Sequence, residues 1–239
     1  MDKQTQKLIE HDAFTEGVVH SVDYVKGHRS QMKLYGGIAA GVLLLVGGVW
    51  FFMNRQHTTR QADLGAALRN KDAVVGPGTP NDPRPAYATK EEKAKAETKG
   101  FQDLIAKHGG TDEAAVAHYQ LGVLAVDAGK LDEAATHFKA AADTAGKDIG
   151  SPAKLSLAQV YFNQNKASEA EAILRGLIAS PTILVSKEQA TMALARMLGT
   201  TKPEEARKLL EPIQKDTTRP TAQRNAEVLL GELPQPPKK

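Results

Sequence analysis

The sequence predicts an all-α protein in which one transmembrane helix is followed by a solenoid of paired helices. Two patterns support this fold class: an uncharged apolar run over residues 34–53, and three later segments that align at a spacing of 36 residues. The composition agrees, because only 6 Phe, 5 Tyr and 1 Trp occur in 239 residues. An alanine-rich chain with few aromatic residues favours helices packed closely on small side chains over a β-sandwich.

Charge and cysteine content exclude several classes of function. The chain has 31 basic and 28 acidic residues and a net charge of +3, which is too little to indicate a nucleic-acid groove held by phosphate contacts. The absence of cysteine excludes zinc fingers, disulfide scaffolds and thiol catalysis, and leaves the cellular compartment open.

Residues 1–33 form a neutral N-terminal tail. A short amphipathic stripe in this tail would lie on a membrane surface or meet a partner, and it consists of four apolar residues at helical spacing: Phe14, Val18, Val22 and Val25. Gly17 and Gly27 weaken such a helix, so a partly ordered tail is the alternative.

Residues 34–53 are long enough to cross a bilayer as a helix, since twenty residues at about 1.5 Å each span a hydrocarbon core of about 30 Å. Trp50, Phe51 and Phe52 occupy the end where an interfacial aromatic belt is expected. A buried helix of a soluble protein is the alternative, but such helices rarely lack a polar face at this length. No cleavage motif follows the run, so we expect an uncleaved anchor.

The orientation of this anchor follows from the flanking positive charges: Lys26, Arg29 and Lys33 before the run, Arg55 and Arg60 after it. Because the side richer in Lys and Arg stays in the cytoplasm, the N-terminus is predicted to be cytoplasmic and the C-terminal region to be translocated.

Three glycines of the anchor lie at spacings that place them on one helix face. Gly37 and Gly41 form a GxxxG step, which Gly48 extends. This face would let a second transmembrane helix approach closely; ordinary glycine usage in a lipid-facing helix is the alternative.

Residues 54–110 are interpreted as a helical pair interrupted by a proline-rich insertion at 71–89. The first helix is expected over 58–70. Pro77, Pro80, Pro83 and Pro85 predict a loop without a regular β-ladder. Helical pattern resumes at Thr89, which is expected to form a capping box with Glu92.

The 36-residue spacing defines three helical hairpins within residues 111–233. Corresponding positions carry Gly122, Ala158 and Leu194 in the first helix of each hairpin and Lys130, Lys166 and Lys202 in the turn between the two helices. Three sets lie in the second helix: the alanines Ala134, Ala170 and Ala206; the large apolar residues Phe138, Leu174 and Leu210; and Ala141, Leu177 and Ile213. One hairpin cannot bury its own apolar face, so the units are predicted to stack. Each alanine marks the place where the two helices of a hairpin cross.

Caps place several helix boundaries. Ser151 before Pro152 predicts a helix start, Ser186 and Gln189 predict a capping box, and Pro203 opens the last second helix. Residues 221–233 are expected to form a terminal helix and residues 234–239 a disordered tail.

These units resemble the tetratricopeptide repeat. Leu121, Gly122, Ala134, Phe138 and Ala141 match its pattern of Leu-Gly, Ala, aromatic and Ala. The third unit departs from this pattern at Leu194 and at Pro212, which is expected to shorten or kink its helix. The resemblance implies a solenoid that binds other proteins.

The order of cytoplasmic tail, glycine-rich anchor and divergent repeats is similar to the family of ancillary subunits of the bacterial Sec translocon. That resemblance implies a single-pass protein of the bacterial inner membrane with a periplasmic domain. It also implies the Sec translocon, periplasmic chaperones or secreted chains as partners, without nucleic acid.

No motif indicates catalysis, since the histidines lack HExxH spacing and no GxSxG or GxGxxG occurs. No cofactor is expected. His118 and His137 are predicted to face one another across the first hairpin, where a packing role is favoured over a metal site.

Nine positions match those that line the concave face in tetratricopeptide-repeat proteins: Tyr119, Val123, Val126, Leu155, Gln159, Phe162, Thr191, Ala195 and Leu198. An apolar groove of this kind suits an amphipathic helix or an extended hydrophobic segment. Neighbouring helices or the 71–89 insertion filling the groove is the alternative. The sequence therefore predicts a membrane-anchored interaction scaffold without catalytic activity; a self-associating structural protein of the envelope, forming a homo-oligomer, is the second interpretation.

Overall fold

The computed structural model describes residues 29–79 and 81–234, and its contacts divide the chain into two units, Met1–Thr59 and Arg60–Lys239. The predicted stripe from Phe14 to Val25 and residues 235–239 lie outside the described residues.

The first helix of the described residues, α1, runs from Arg29 to Lys71. From Gly37 onward it is long and apolar enough to cross a membrane. The described side chains of the apolar run from Tyr35 onward are exposed, with Leu44 at 78%, which is the opposite of a buried core helix. The sequence predicted a separate helix over 58–70, but no break exists, because residues 54–63 contain neither Gly nor Pro. The hydroxyls of Thr58 and Thr59 donate to the carbonyls of Asn54 and Arg55 within the continuous helix.

The proline-rich insertion carries a short parallel β-ladder, so the prediction of no ladder is wrong. Strand β1, Val74–Val75, pairs with β2, Ala86–Tyr87. The ladder avoids the missing N–H groups of proline, since the Val74 N–H donates to the carbonyl of Pro85 at 2.9 Å. Proline lacks the donor but keeps the acceptor.

Eight further helices follow within the described residues and pack on one another in sequence order. They are α2 Lys90–His108, α3 Asp112–Asp127, α4 Leu131–Thr144, α5 Lys147–Asn163, α6 Ala167–Ala179, α7 Lys187–Leu198, α8 Pro203–Lys215 and α9 Pro220–Glu232. Thr89 caps α2 by accepting from the Glu92 N–H, but the predicted capping box is incomplete, since the Glu92 carboxylate accepts from the Ala88 N–H rather than from the N–H of Thr89. The capping box of Ser186 and Gln189 and the opening position of Pro203 are confirmed.

The 36-residue register is confirmed by the second helices of the hairpins. Helices α4, α6 and α8 begin at Leu131, Ala167 and Pro203, which are 36 residues apart. The crossing alanines Ala134, Ala170 and Ala206 are each 0% exposed, and the larger residues of these helices are buried beside them. The three hairpins are therefore α3–α4, α5–α6 and α7–α8.

Two prolines behave differently from the prediction. Helix α5 begins at Lys147, so Pro152 lies inside it instead of at its start. Proline removes the N–H that would bond the Asp148 carbonyl, and the Ser151 hydroxyl donates to that carbonyl at 2.8 Å instead. Pro212 does not shorten its helix, since α8 has 13 residues, as many as α6; the alternative expectation, a kink, stays a prediction.

Each helical hairpin has two ends along its helix axes, which we name by their connections: the loop end and the turn end. At the loop end, where the first helices of the hairpins begin, side-chain contacts join neighbouring segments. They include Arg60 to Glu113 at 3.4 Å, the Gly146 N–H to Asp112 at 3.4 Å, Ser151 to Thr182 at 2.7 Å, and Arg219 to Glu188. At the turn end, where hairpins close, Gln164 donates to Asp132 at 2.9 Å and Lys202 lies 3.5 Å from Glu171.

Candidate functional site

A cleft of about 530 Å³ lies along three helices, α5, α7 and α9. Helices α5 and α7 are the first helices of the second and third hairpins, and α9 continues their row. The cleft is bordered by fifteen residues, contributed mainly by these three helices: Leu155, Ser156, Ala158, Gln159, Phe162, Leu174, Gln189, Met192, Ala193, Arg196, Met197, Asn225, Val228, Leu229 and Glu232.

The apolar wall of the cleft is formed by residues that lie, on the surface of each helix, next to the residues buried in the core. Leu155 and Phe162 of α5 are half-buried and pack against the C-terminal core, as does Met192 of α7. Val228 of α9 is 57% exposed. Two methionines, Met192 and Met197, add side chains that adjust readily to the shape of a bound segment.

Polar side chains surround this wall. Gln159, Gln189, Arg196, Asn225 and Glu232 are all exposed. Gln159 donates to Asn163 at 3.2 Å, and the Gln189 side chain accepts from the Ser186 N–H as part of the α7 cap. Arg196 and Glu232 provide one positive and one negative charge. An apolar floor with a mixed polar rim is the surface expected of a site for an amphipathic segment.

Three of the nine residues predicted to line a concave face border this cleft: Leu155, Gln159 and Phe162. They lie on one face of α5, while Leu157, Ala158 and Val160 of the same helix are buried. The second hairpin therefore presents its predicted residues together.

The residues of the first hairpin do not border the cleft. Tyr119 and Val123 are half-buried against the cluster that contains Phe138, and the Tyr119 and Phe138 ring centroids are 5.5 Å apart. Val126 is 38% exposed near the end of α3. Tyr119 therefore acts in packing in this structure.

The residues predicted for the third hairpin are buried, so their assignment to an open surface is wrong. Thr191, Ala195 and Leu198 are 7%, 0% and 3% exposed. Helix α7 packs on α6, α8 and α9, and Ala195 and Leu198 belong to the C-terminal core cluster. Met192, Ala193 and Arg196 border the cleft instead.

The wall formed by α9 was missed by sequence reasoning. Asn225, Val228 and Glu232 are spaced three and four residues apart and form one stripe beside the buried Ala226 and Leu229. Val228 is an apolar residue between two polar ones in that stripe, and this is the sequence signal that could have identified the wall. The 71–89 insertion does not fill the cleft; it is fixed elsewhere, with Lys93 donating to the Ala73 carbonyl at 2.8 Å and Tyr87 to Asn70 at 3.0 Å.

His118 and His137 face one another, as predicted. Their Nδ1 atoms are 3.1 Å apart. Burial lowers the pKa of both imidazoles, and His137 lowers the pKa of His118 further, while Glu133 partly opposes the effect on His137. Among the described residues, no group of three or more His, Asp or Glu side chains is arranged to hold a metal ion.

Gly37, Gly41 and Gly48 lie on the exposed surface of α1. A Cβ atom added at any of them would meet no other atom of the described chain within 4 Å. Their role in helix packing stays a prediction.

A sequence model of the family described as a tetratricopeptide repeat-like domain matches residues 32–182. The match begins before the apolar run and ends in the loop after α6, and it covers more than half of the chain. No curated protein and no solved structure matches the chain.

Proposed function

Because the chain belongs to the tetratricopeptide repeat-like domain family, we propose that it is a protein–protein interaction scaffold whose cleft binds an apolar segment of a partner. The observation that carries this proposal is the open cleft between α5, α7 and α9, with Phe162, Met192 and Val228 along its wall. Aromatic and aliphatic anchors in a cleft typically provide most of the binding free energy of an interface.

We further propose that α1 anchors the scaffold in the bacterial inner membrane, with the repeats in the periplasm. The apolar length of α1 and the three-to-two bias of flanking basic residues support this arrangement. The similarity to ancillary Sec translocon subunits supports a partner among translocon subunits, periplasmic chaperones or secreted chains. A reporter that is active only outside the cytoplasm, fused after Lys239, is expected to give signal; a silent reporter contradicts this topology.

Site-specific photo-cross-linking tests the scaffold proposal. A photoreactive amino acid placed at Met192 in the cleft is expected to form adducts with partner proteins in intact cells. Lys139, which is exposed on α4, provides the control position outside the cleft. Mass spectrometry of the cross-linked peptides then shows whether the captured segment is apolar. Equal adduct formation at both positions, or none at Met192, overturns the proposal.

A second candidate function is self-association as a structural envelope protein. The observation that favours it is the open space around Gly37, Gly41 and Gly48, which would allow two copies of α1 to approach closely. Replacing Gly37 and Gly41 with Leu is expected to abolish a dimer formed in this way. A cleft adduct with a second copy would favour this function over the first.

A further inference from the structure

The loop between α6 and α7 carries the most exposed apolar tip of the repeat unit among the described residues. Ile183 is 90% exposed and Leu184 is 51% exposed. The next residue, Val185, is 1% exposed and belongs to the C-terminal core. The chain thus turns outward for two large aliphatic residues and returns directly to the interior.

Hydrogen bonds hold this tip in place. The Thr182 N–H donates to the Val185 carbonyl at 2.9 Å, and the Val185 N–H donates to the Thr182 hydroxyl oxygen at 3.0 Å. The Thr182 hydroxyl also lies 2.7 Å from the buried Ser151 hydroxyl. Because Ser151 donates its proton to the Asp148 carbonyl, Thr182 is the donor in this last contact. The exposure of Ile183 is therefore imposed by the fold of the loop.

The tip lies at the loop end of the solenoid, through which the chain also enters the repeat unit. Arg60, the first residue of that unit, contacts Glu113 at the start of α3. Only six residues separate Arg60 from Met53, the last residue of the apolar run. The same end carries Ile149 at 38% exposure, together with exposed Lys147, Asp148 and Lys187.

We propose that Ile183 and Leu184 insert into the lipid surface of the membrane in which α1 is anchored. This proposal rests on the membrane anchoring in the proposed function. A convex tip of two aliphatic residues offers little area to a protein partner, whereas it can enter the boundary between headgroups and acyl chains without a complementary pocket. The neighbouring lysines face anionic headgroups, and tethering through α1 keeps the tip at a high local concentration of lipid.

The absence of cysteine permits a direct test on the full chain. Single cysteines are introduced by Ile183→Cys, Val126→Cys and Leu44→Cys and labelled with a nitroxide in proteoliposomes of zwitterionic and anionic phospholipid. Val126 is the matched control, since it is an exposed aliphatic residue near the turn end. Leu44 lies in the apolar run and reports anchoring. The measurement is the ratio of relaxation by oxygen, which concentrates in lipid, to relaxation by a water-soluble nickel chelate.

We expect this ratio to be several-fold higher at Ile183→Cys than at Val126→Cys, and to fall when Leu184→Ser is added. If Leu44→Cys reports lipid while Ile183→Cys reports water, the loop proposal is overturned and the anchor stands. If Leu44→Cys also reports water, both the anchor and the loop proposal are overturned. If Ile183→Cys reports lipid while Val126→Cys reports water, the proposal is supported, because the repeats then do not adhere to lipid indiscriminately.

Discussion

The pairing of Gly122 with Phe138 shows how residue volume is matched within a hairpin. A Cβ atom at Gly122 would lie 2.7 Å from the Phe138 ring. The equivalent positions of the next two hairpins carry Ala158 and Leu194 where the second helix supplies a leucine instead of the larger ring. A bulkier first-helix residue is therefore tolerated only where the facing residue is smaller.

Gly122→Ala is expected to lower the free energy of unfolding by about 1–3 kcal/mol, because the buried Phe138 ring must shift to admit the methyl group. Phe138→Leu also destabilises the protein by leaving a cavity. The double variant is expected to lose less stability than the sum of the single variants, as measured by denaturant unfolding. Strict additivity would mean that the two residues do not compete for the same space.

The His118–His137 pair predicts a dependence of stability on pH. The pKa of each imidazole is lowered in the folded protein from its ordinary value of 6.5, so the unfolded chain binds more protons as the pH falls through 6.5. The contribution of the pair is complete above pH 6.5 and is lost as the pH falls towards the lowered folded values. In the neutral pair one Nδ1 donates the hydrogen bond between the rings and the other accepts it. Protonation of the accepting Nδ1 would leave no acceptor for this bond.

Replacing both histidines with Gln is expected to flatten the decrease in denaturation midpoint between about pH 7 and pH 5. Glu97 acts in the opposite direction, because burial raises the pKa of its carboxyl group and protonation then favours the folded state. Since Glu97 is present in both proteins, the difference between their pH profiles isolates the histidine pair. Identical profiles would contradict the pKa directions.

At the scale of the elements, helix α5 depends on Ser151 to tolerate an internal proline. Ser151→Ala leaves the Asp148 carbonyl without the donor that replaces the missing Pro152 N–H, and it also removes the contact with Thr182. Leaving a buried polar group unpaired costs about 1–3 kcal/mol. Thermal unfolding is expected to show this loss, while Ser168→Ala, at an exposed position of α6, is expected to change stability by less than about 0.5 kcal/mol.

The second helices could be predicted from sequence because their register depends on local signals. A turn lysine, a crossing alanine and a large apolar residue recur at fixed offsets, and each position is governed by its own hairpin. The continuity of α1 and the β1–β2 ladder were not predictable in this way. Helix α1 is continuous because residues 54–63 contain no proline or glycine that would end it. The ladder forms because Pro85, which lacks an N–H donor, still offers its carbonyl oxygen to the Val74 N–H.

At the scale of the whole molecule, the cleft is expected to depend on side chains that contribute little to folding. Phe162→Ala combined with Val228→Ala should weaken partner capture by at least about tenfold, roughly 1.4 kcal/mol. Tyr119→Ala is the contrasting variant, since Tyr119 packs against Phe138 and should lower the melting temperature. Cross-linking yield and thermal unfolding of the full chain measure the two effects. Normal capture by the double variant would place the binding surface elsewhere.

Only part of the cleft could be predicted from sequence, for a reason that lies in the whole assembly. Leu155, Gln159 and Phe162 border the cleft as the repeat pattern predicts. Thr191, Ala195 and Leu198, each 36 residues further on, are buried in α7, which packs on α6, α8 and α9. A repeat pattern describes one hairpin, and a cleft between helices of different hairpins requires their packing.

Helix α9 is at once one wall of the cleft and the last helix of the described solenoid. In a solenoid each helix is stabilised mainly by its neighbours, so opening by local unfolding is easiest at an end. A segment bound across α5, α7 and α9 would favour the closed state by mass action, in proportion to the logarithm of its concentration over its dissociation constant. Occupancy of the cleft and survival of the C-terminal helix are thus thermodynamically linked, so that a partner protects residues 220–232 from proteolysis and amide exchange while it is bound.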